Sequence, residues 1–204
     1  MGSSNRCPPA ISIAIFFNAL YRRIVPECGE VVCFYVKKGV PILRYETWMP
    51  CSVAELWQFH ASAEALKQLT PPERKLEAAT SNRGDGILPL EDGALHILRF
   101  KLGPFRLEWR ARISAVTPPT GFTDTAEKSP FKRWTHRHRF VEEHPGCRLI
   151  DEIDYELPFG ILGRVVEPLV RRDLDRLFAF RHAKTRETLT QKSPGLAGAA
   201  SSND

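Results

Sequence analysis

Two histidines and one carboxylate stand where a strand pattern calls for apolar side chains. Along residues 132–141, Trp134, His136, His138 and Phe140 share one face, with Arg133, Thr135, Arg137 and Arg139 on the other, because strand side chains alternate with period two. The basic set belongs in water, so two imidazoles point inward beside two aromatics. Along 149–157 the inward set is Leu149, Asp151, Ile153, Tyr155 and Leu157, with Arg148, Glu152, Asp154 and Glu156 outside. An inward carboxylate is costly unless it is paired, and the preceding strand offers imidazoles as partners.

Three chemistries fit His136, His138 and Asp151. In the first, the carboxylate orients an imidazole that moves a proton on a bound ligand. In the second, the three form a satisfied polar cluster that fixes strand register. That reading is preferred, because buried polar groups are usually satisfied structurally. In the third, two histidines and a carboxylate hold a metal, but no further ligand is evident. The expectation is therefore no metal and no cofactor, and no catalytic residue beyond these three candidates.

The elements that must position these residues follow from pattern and punctuation. Residues 42–48 read as a first strand ended by Pro50, and Ser52-Val-Ala-Glu55 is a capping box opening a helix. A second short helix, 63–69, stops at Thr70-Pro71-Pro72. Strands follow at 75–80, 95–102, 105–116 and 122–128, then the histidine strand and the Asp151 strand, separated by Gly103-Pro104, Pro118-Pro119, Ser129-Pro130 and Pro145-Gly146. From Ile161 to about Leu189 an apolar stripe of helical period includes Leu162, Val165, Val166, Leu169, Val170, Leu174, Leu177 and Phe178, with Pro168 expected to kink its first turns. The fold class is α+β: a curved antiparallel sheet wrapped around one long C-terminal helix, with two short helices after the first strand. The sheet's apolar face includes Phe100, Phe105, Trp109, Trp134, Phe140 and Tyr155 as inward aromatics.

Composition narrows the function. The chain has 204 residues, 43% of them apolar and 26% charged, which suits one globular domain with a tail or two. Of the net charge of +5, +3 falls in the first 39 residues (five basic, two acidic), so the remainder is nearly balanced. Arg133, Arg137 and Arg139 read as a solvated strand face, and nucleic acid is not an expected partner. Five cysteines, at 7, 28, 33, 51 and 147, are odd in number and lack C-x-x-C spacing, which reads as reduced thiols in a cytoplasmic protein. Residues 11–21 are apolar but too short to span a bilayer. They read as part of an extension covering residues 1–40, with a folded domain over 41–190 and a disordered tail over 191–204. P-loop, G-x-G-x-x-G, G-x-S-x-G and H-E-x-x-H motifs do not occur.

With these elements in order, the chain resembles the START-like, or SRPBCC, superfamily, whose fold is the helix-grip. The resemblance rests on Phe122-Thr-Asp124, Ser129-Pro130-Phe131, Trp134-Thr-His136-Arg-His138-Arg-Phe140, the run from Asp151 to Pro158-Phe159-Gly160-Ile-Leu162-Gly163, and Phe178-Ala-Phe180-Arg181. It covers about Pro41 to Leu189 and is nearest to the bacterial ligand-binding members. Ser129 departs from the glycine expected there, and residues 1–40 have no counterpart in the family. The resemblance implies a central apolar cavity for a small hydrophobic molecule (a lipid, quinone or polyketide-like compound) held by a non-catalytic carrier or sensor. The alternative is a polyketide cyclase or dehydratase-like enzyme using His136, His138 and Asp151. A further alternative is a membrane-associated lipid or quinone carrier anchored by Ile11–Ile24, and membrane contact is not favoured. The fold alone does not decide among these, nor set the oligomeric state. Residues expected to contact the ligand are Trp57 on the first helix, and Phe100, Leu107, Trp109 and Ile113 on the long strands. The histidine and Asp151 strands add Trp134, His136, His138, Phe140, Asp151, Ile153 and Tyr155. The last helix adds Val166, Val170 and Leu177. Arg181 can meet an anionic group of a ligand or pair with a surface acid.

Overall fold

Ser52 opens the first helix as the sequence demands. Its hydroxyl accepts from the Glu55 amide at 3.2 Å, and the Glu55 carboxylate accepts from the Ser52 amide at 2.8 Å, so two otherwise unpaired amides are satisfied reciprocally. The computed structural model describes residues 31–37, 40–82, 89–102 and 104–192. In chain order these form β1 (Val31–Lys37), β2 (Val40–Met49), α1 (Val53–His60), α2 (Ala63–Gln68), β3 (Lys75–Ser81), β4 (Leu95–Leu102), β5 (Phe105–Thr117), β6 (Gly121–Lys128), β7 (Arg133–Glu143), β8 (Gly146–Glu156) and α3 (Ile161–Lys192).

The strands make one sheet in the order β1-β2-β8-β7-β6-β5-β4-β3, and every neighbouring pair is antiparallel. Strands β3 to β8 form a meander, with short Pro- or Gly-bearing turns joining the strands from β4 onward. β2 returns to pair with β8, and the two short helices carry the chain from β2 to β3 at the opposite edge. This is the helix-grip α+β arrangement. One element was not anticipated: Val31–Lys37, inside the stretch read as an extension, pairs along its length with β2 as the edge strand. Residues 1–30, with the apolar run at 11–21, lie outside the described residues, as do residues 193–204 of the tail.

Register matters here because it sets which side chains meet. Asp124 of β6 stands opposite His136 of β7, and His138 of β7 stands opposite both Phe122 of β6 and Asp151 of β8. Gly121 fixes the close approach of β6 to β7. Its φ is +154°, and a Cβ there would lie 2.2 Å from the His138 carbonyl oxygen, so any larger residue would push the strands apart.

The interior divides in two. Under α1 and α2, Met49, Leu56, Phe59, Phe122, Phe140 and Leu149 pack with Leu189 from the end of α3. Beneath the middle of α3, Leu43, Tyr45, Trp134, Ile153 and Tyr155 pack with Leu174, Leu177 and Phe178. The Tyr45 and Phe178 rings stack at 4.7 Å between centroids. Phe178 is fully buried, and burial of such a side chain is worth about 1.5–3 kcal/mol.

Two parts of the apolar pattern are not core. Phe105 is 73% exposed at the start of β5, although alternation puts it on the inward face. On α3, which continues through Pro168, Val165 and Leu169 are exposed while Leu174, Leu177 and Phe178 are buried. The C-terminal part of the helix packs on the sheet, and the N-terminal part spans an open space. No helix among the described residues is long and apolar enough to cross a membrane.

Candidate functional site

That open space is a cavity of about 920 Å³ between the concave sheet and α3. Its wall is mostly apolar. The sheet contributes Leu98, Phe100, Leu107, Trp109, Ile113 and Trp134, and α3 contributes Val166, Leu169, Val170 and Leu177. Trp109 and Trp134 meet edge to face at 5.1 Å, which makes one side of the wall a rigid aromatic corner.

A polar cluster interrupts the apolar wall. Inward alternation on β7 aims His136 and His138 there, and register brings Asp124 alongside and Asp151 behind. Asp151 is 3% exposed. Its Oδ1 lies 3.0 Å from His136 Nε2 and 2.9 Å from His138 Nδ1. The approach from His138 is off-line, and Nδ1 makes no directed hydrogen bond. Asp151 Oδ2 accepts from Nε2 of His182 on α3 at 2.8 Å, and His182 Nδ1 meets the Thr47 hydroxyl of β2 at 2.8 Å. Asp124 Oδ2 lies 3.1 Å from His136 Nδ1 and 3.4 Å from His138 Nε2.

His136 is therefore clamped between two carboxylates. Burial alone would hold its ring neutral, but the negative charges of Asp124 and Asp151 outweigh it and raise the pKa to about 9. Both carboxylates are held charged in return. Desolvation pushes each pKa up, yet the facing imidazoles bring Asp124 below the usual carboxylate range and Asp151 well below it. His60 behaves oppositely. Burial and then the neighbouring His138 push it down to about 4, and its Nδ1 is committed to the Leu56 carbonyl at 3.0 Å. Arg181 also reaches the wall. Its Nε donates to the Leu69 carbonyl at 3.2 Å and its guanidinium lies 5.5 Å from the Phe178 ring centre. Burial lowers its pKa, and its outer nitrogens have no acceptor among the described residues.

Of the residues expected at a ligand, the cavity wall includes Phe100, Leu107, Trp109, Ile113, Trp134, His136, His138, Val166, Val170 and Leu177. Trp57, Phe140, Asp151, Ile153 and Tyr155 are placed elsewhere. Trp57 and Phe140 pack with each other and with the core beneath α1, at 6.3 Å between rings. Ile153 and Tyr155 lie under the middle of α3, where the Tyr155 hydroxyl donates to Glu167 at 2.8 Å. Asp151 sits behind the two imidazoles. Period two identifies an inward face, but it does not separate cavity wall from core.

Three polar contributors were not singled out. Asp124 shares the inward face of β6 with Phe122, and it stands in the motif that carries the resemblance. His182 lies one turn after Phe178 on the buried stripe of α3. His60 lies in the last turn of α1. Alternation and helical spacing alone would have found the first two. A metal was considered on His136, His138 and Asp151. The three residues whose ligand atoms all lie within 4.8 Å of one another are instead Asp124, His136 and His138.

The comparisons with known proteins agree with this architecture. The model of the family described as polyketide cyclase / dehydrase and lipid transport matches residues 49–180. Among solved structures, a protein of Thermus thermophilus is 18% identical with a TM-score of 0.57, and the match covers 79% of this chain and 100% of that one. A START superfamily protein from Mycobacterium smegmatis is 16% identical with a TM-score of 0.52, over 72% of this chain and 98% of that one. A point mutant of Thalictrum flavum norcoclaurine synthase, in complex with a transition-state analogue, is 15% identical with a TM-score of 0.57, over 78% of this chain and 99% of that one. At these identities the likeness is one of fold. No curated protein matches the sequence significantly.

Proposed function

Because the chain belongs to the polyketide cyclase / dehydrase and lipid transport family, within the START-like superfamily, we propose that it binds one small hydrophobic molecule in the cavity between sheet and α3. It acts there as a cytoplasmic carrier or sensor. The observation that carries this reading is the cavity itself: about 920 Å³ of mostly apolar wall that also carries the polar cluster of Asp124, His136 and His138. Ligand sites are concave and apolar, with a few polar groups that set orientation. A lipid, quinone or polyketide-like compound fits that description. Native mass spectrometry of the freshly purified full chain tests it. The expected result is a bound mass of a few hundred daltons that is lost on denaturation. A chain that leaves cells empty, and that takes up no hydrophobic compound offered to it, would count against the reading.

A cyclase or dehydratase-like activity is the second reading, favoured by the presence of His138 and Asp124 on the cavity wall. A general acid or base needs a ring nitrogen within reach of the substrate. Both nitrogens of His136 and both of His138 instead lie within 3.4 Å of a carboxylate oxygen. The binding reading is preferred because most of the wall is apolar, and a carboxylate beside an imidazole fits a structural cluster as well as a catalytic one. Turnover of a polyketide-like substrate, abolished by His138→Gln with ligand affinity retained, would reverse the preference.

A further inference from the structure

The two imidazoles of β7 are held from behind as metal-bound imidazoles are held. Nε2 of His136 and Nδ1 of His138 lie 3.0 and 2.9 Å from one oxygen of Asp151. Histidines that ligate a metal commonly give their second ring nitrogen to a carboxylate, which fixes tautomer and ring orientation. Here Asp151 bonds His136 and lies close behind His138 without a directed bond, and His182, itself bonded to Thr47, anchors its other oxygen.

The front nitrogens converge. Nδ1 of His136 and Nε2 of His138 face the same oxygen of Asp124 at 3.1 and 3.4 Å. In the tautomer that carries one proton per ring, on the Asp151 side, the two front nitrogens would offer lone pairs beside a carboxylate oxygen. A bound cation would take the place of the proton that His136 otherwise holds toward Asp124. The spacing suits an ion: ligand atoms about 2.0–2.2 Å from a four-coordinate zinc lie roughly 3.3–3.5 Å apart. Asp124, His136 and His138 all line the cavity, whereas Asp151 and His182 do not. Three protein ligands thus leave further coordination positions on the cavity side.

We propose that Asp124, His136 and His138 form a two-histidine, one-carboxylate site for a divalent transition ion of the zinc or iron(II) class, open to the cavity. Two imidazole donors exclude magnesium and calcium, which take oxygen ligands. Asp151 is the positioning residue that orients His136 and backs His138, and His182 holds Asp151 in place. The site is independent of the hydrophobic-ligand reading, since the apolar wall accepts a ligand with or without an ion on its polar side.

The test uses the full chain, stripped with a chelator and titrated with zinc by calorimetry, and in parallel with cobalt(II) followed by visible absorption. One zinc per chain is expected, and Asp124→Asn should weaken it by about 100-fold or more, at least the loss seen when only an outer partner is removed. The cobalt(II) form of the unsubstituted protein should show ligand-field bands without a thiolate charge-transfer band, which separates this site from the five cysteines. If Asp124→Asn does not fold, that spectrum decides alone. Absence of stoichiometric zinc, a thiolate band, or zinc affinity unchanged in a folded Asp124→Asn protein would overturn the site.

Discussion

Asp151 Oδ2 of β8 lies 2.8 Å from His182 Nε2 of α3, and this buried contact ties the centre of the sheet to the helix it grips. The same carboxylate faces His136 and His138 through its other oxygen. Removing one partner of a buried charged cluster leaves the others unpaired, which costs about 3–5 kcal/mol. Asp151→Ala should therefore lower the free energy of unfolding by about that much in urea titrations. Asp151→Asn keeps an acceptor and the same shape and should cost less. Equal losses in the two variants would mean that the carboxylate's bonds do not hold the sheet to the helix.

His60 gives the pH dependence a definite sign. Its folded pKa is pushed down to about 4, chiefly by burial, while an imidazole in the unfolded chain titrates near 6.5. Between these values the unfolded state binds the additional proton. Stability should then fall as pH drops from about 6.5 to 4, by at most about 3 kcal/mol. His60→Gln should flatten the limb above pH 5, and an unchanged limb would remove His60 as its cause.

Arg181 should set a preference among ligands. Its outer nitrogens lack an acceptor among the described residues, and its charge is disfavoured by burial. A long-chain carboxylic acid should bind more tightly than the alcohol of the same chain length, by about tenfold or more, since hydrogen bonds to charged groups are worth about 1.5–3 kcal/mol. Arg181→Met should erase the difference. Equal affinities for acid and alcohol in the unsubstituted protein would place the ligand's polar end elsewhere.

The domain boundary can be tested by shortening. The family match begins at residue 49, and β2 is paired on its other side with β8. A chain starting at Pro41 should still unfold cooperatively in calorimetry. It should aggregate more readily than one starting at Val31, because losing β1 moves the open edge from that short strand to the longer β2. Failure of the shorter chain to fold would make β1 part of the domain proper.

Much of this was legible in residue order. The capping box at Ser52, the proline and glycine turns and the period-two faces defined α1 and every strand from β2 to β8 to within a few residues, because local chemistry decides those features. β1 lies in the stretch read as an extension because the helix-grip order of elements has no place for it, and what makes it a strand is its long-range pairing with β2. The pairing of Asp151 with inward imidazoles followed from alternation and desolvation cost. That His182 completes the cluster depends on where α3 crosses the sheet. That Asp124, rather than Asp151, lines the cavity is likewise set by the tertiary arrangement, which alternation does not give. The wall residues divide for the same reason: alternation places Tyr155 and Trp134 on one face, but only the path of α3 determines which of them meets open space.

The central claim is a cavity that accepts a hydrophobic guest in the folded state. The most direct measurement is a fluorescence titration of the native full chain with a naphthalene sulfonate dye, followed by displacement with a fatty acid or a flat polycyclic compound. The account predicts saturable binding of one dye per chain, competitive displacement, and marked weakening in a folded Trp109→Gln variant. Dye uptake that begins only when the protein is partly unfolded would show a closed interior and contradict it.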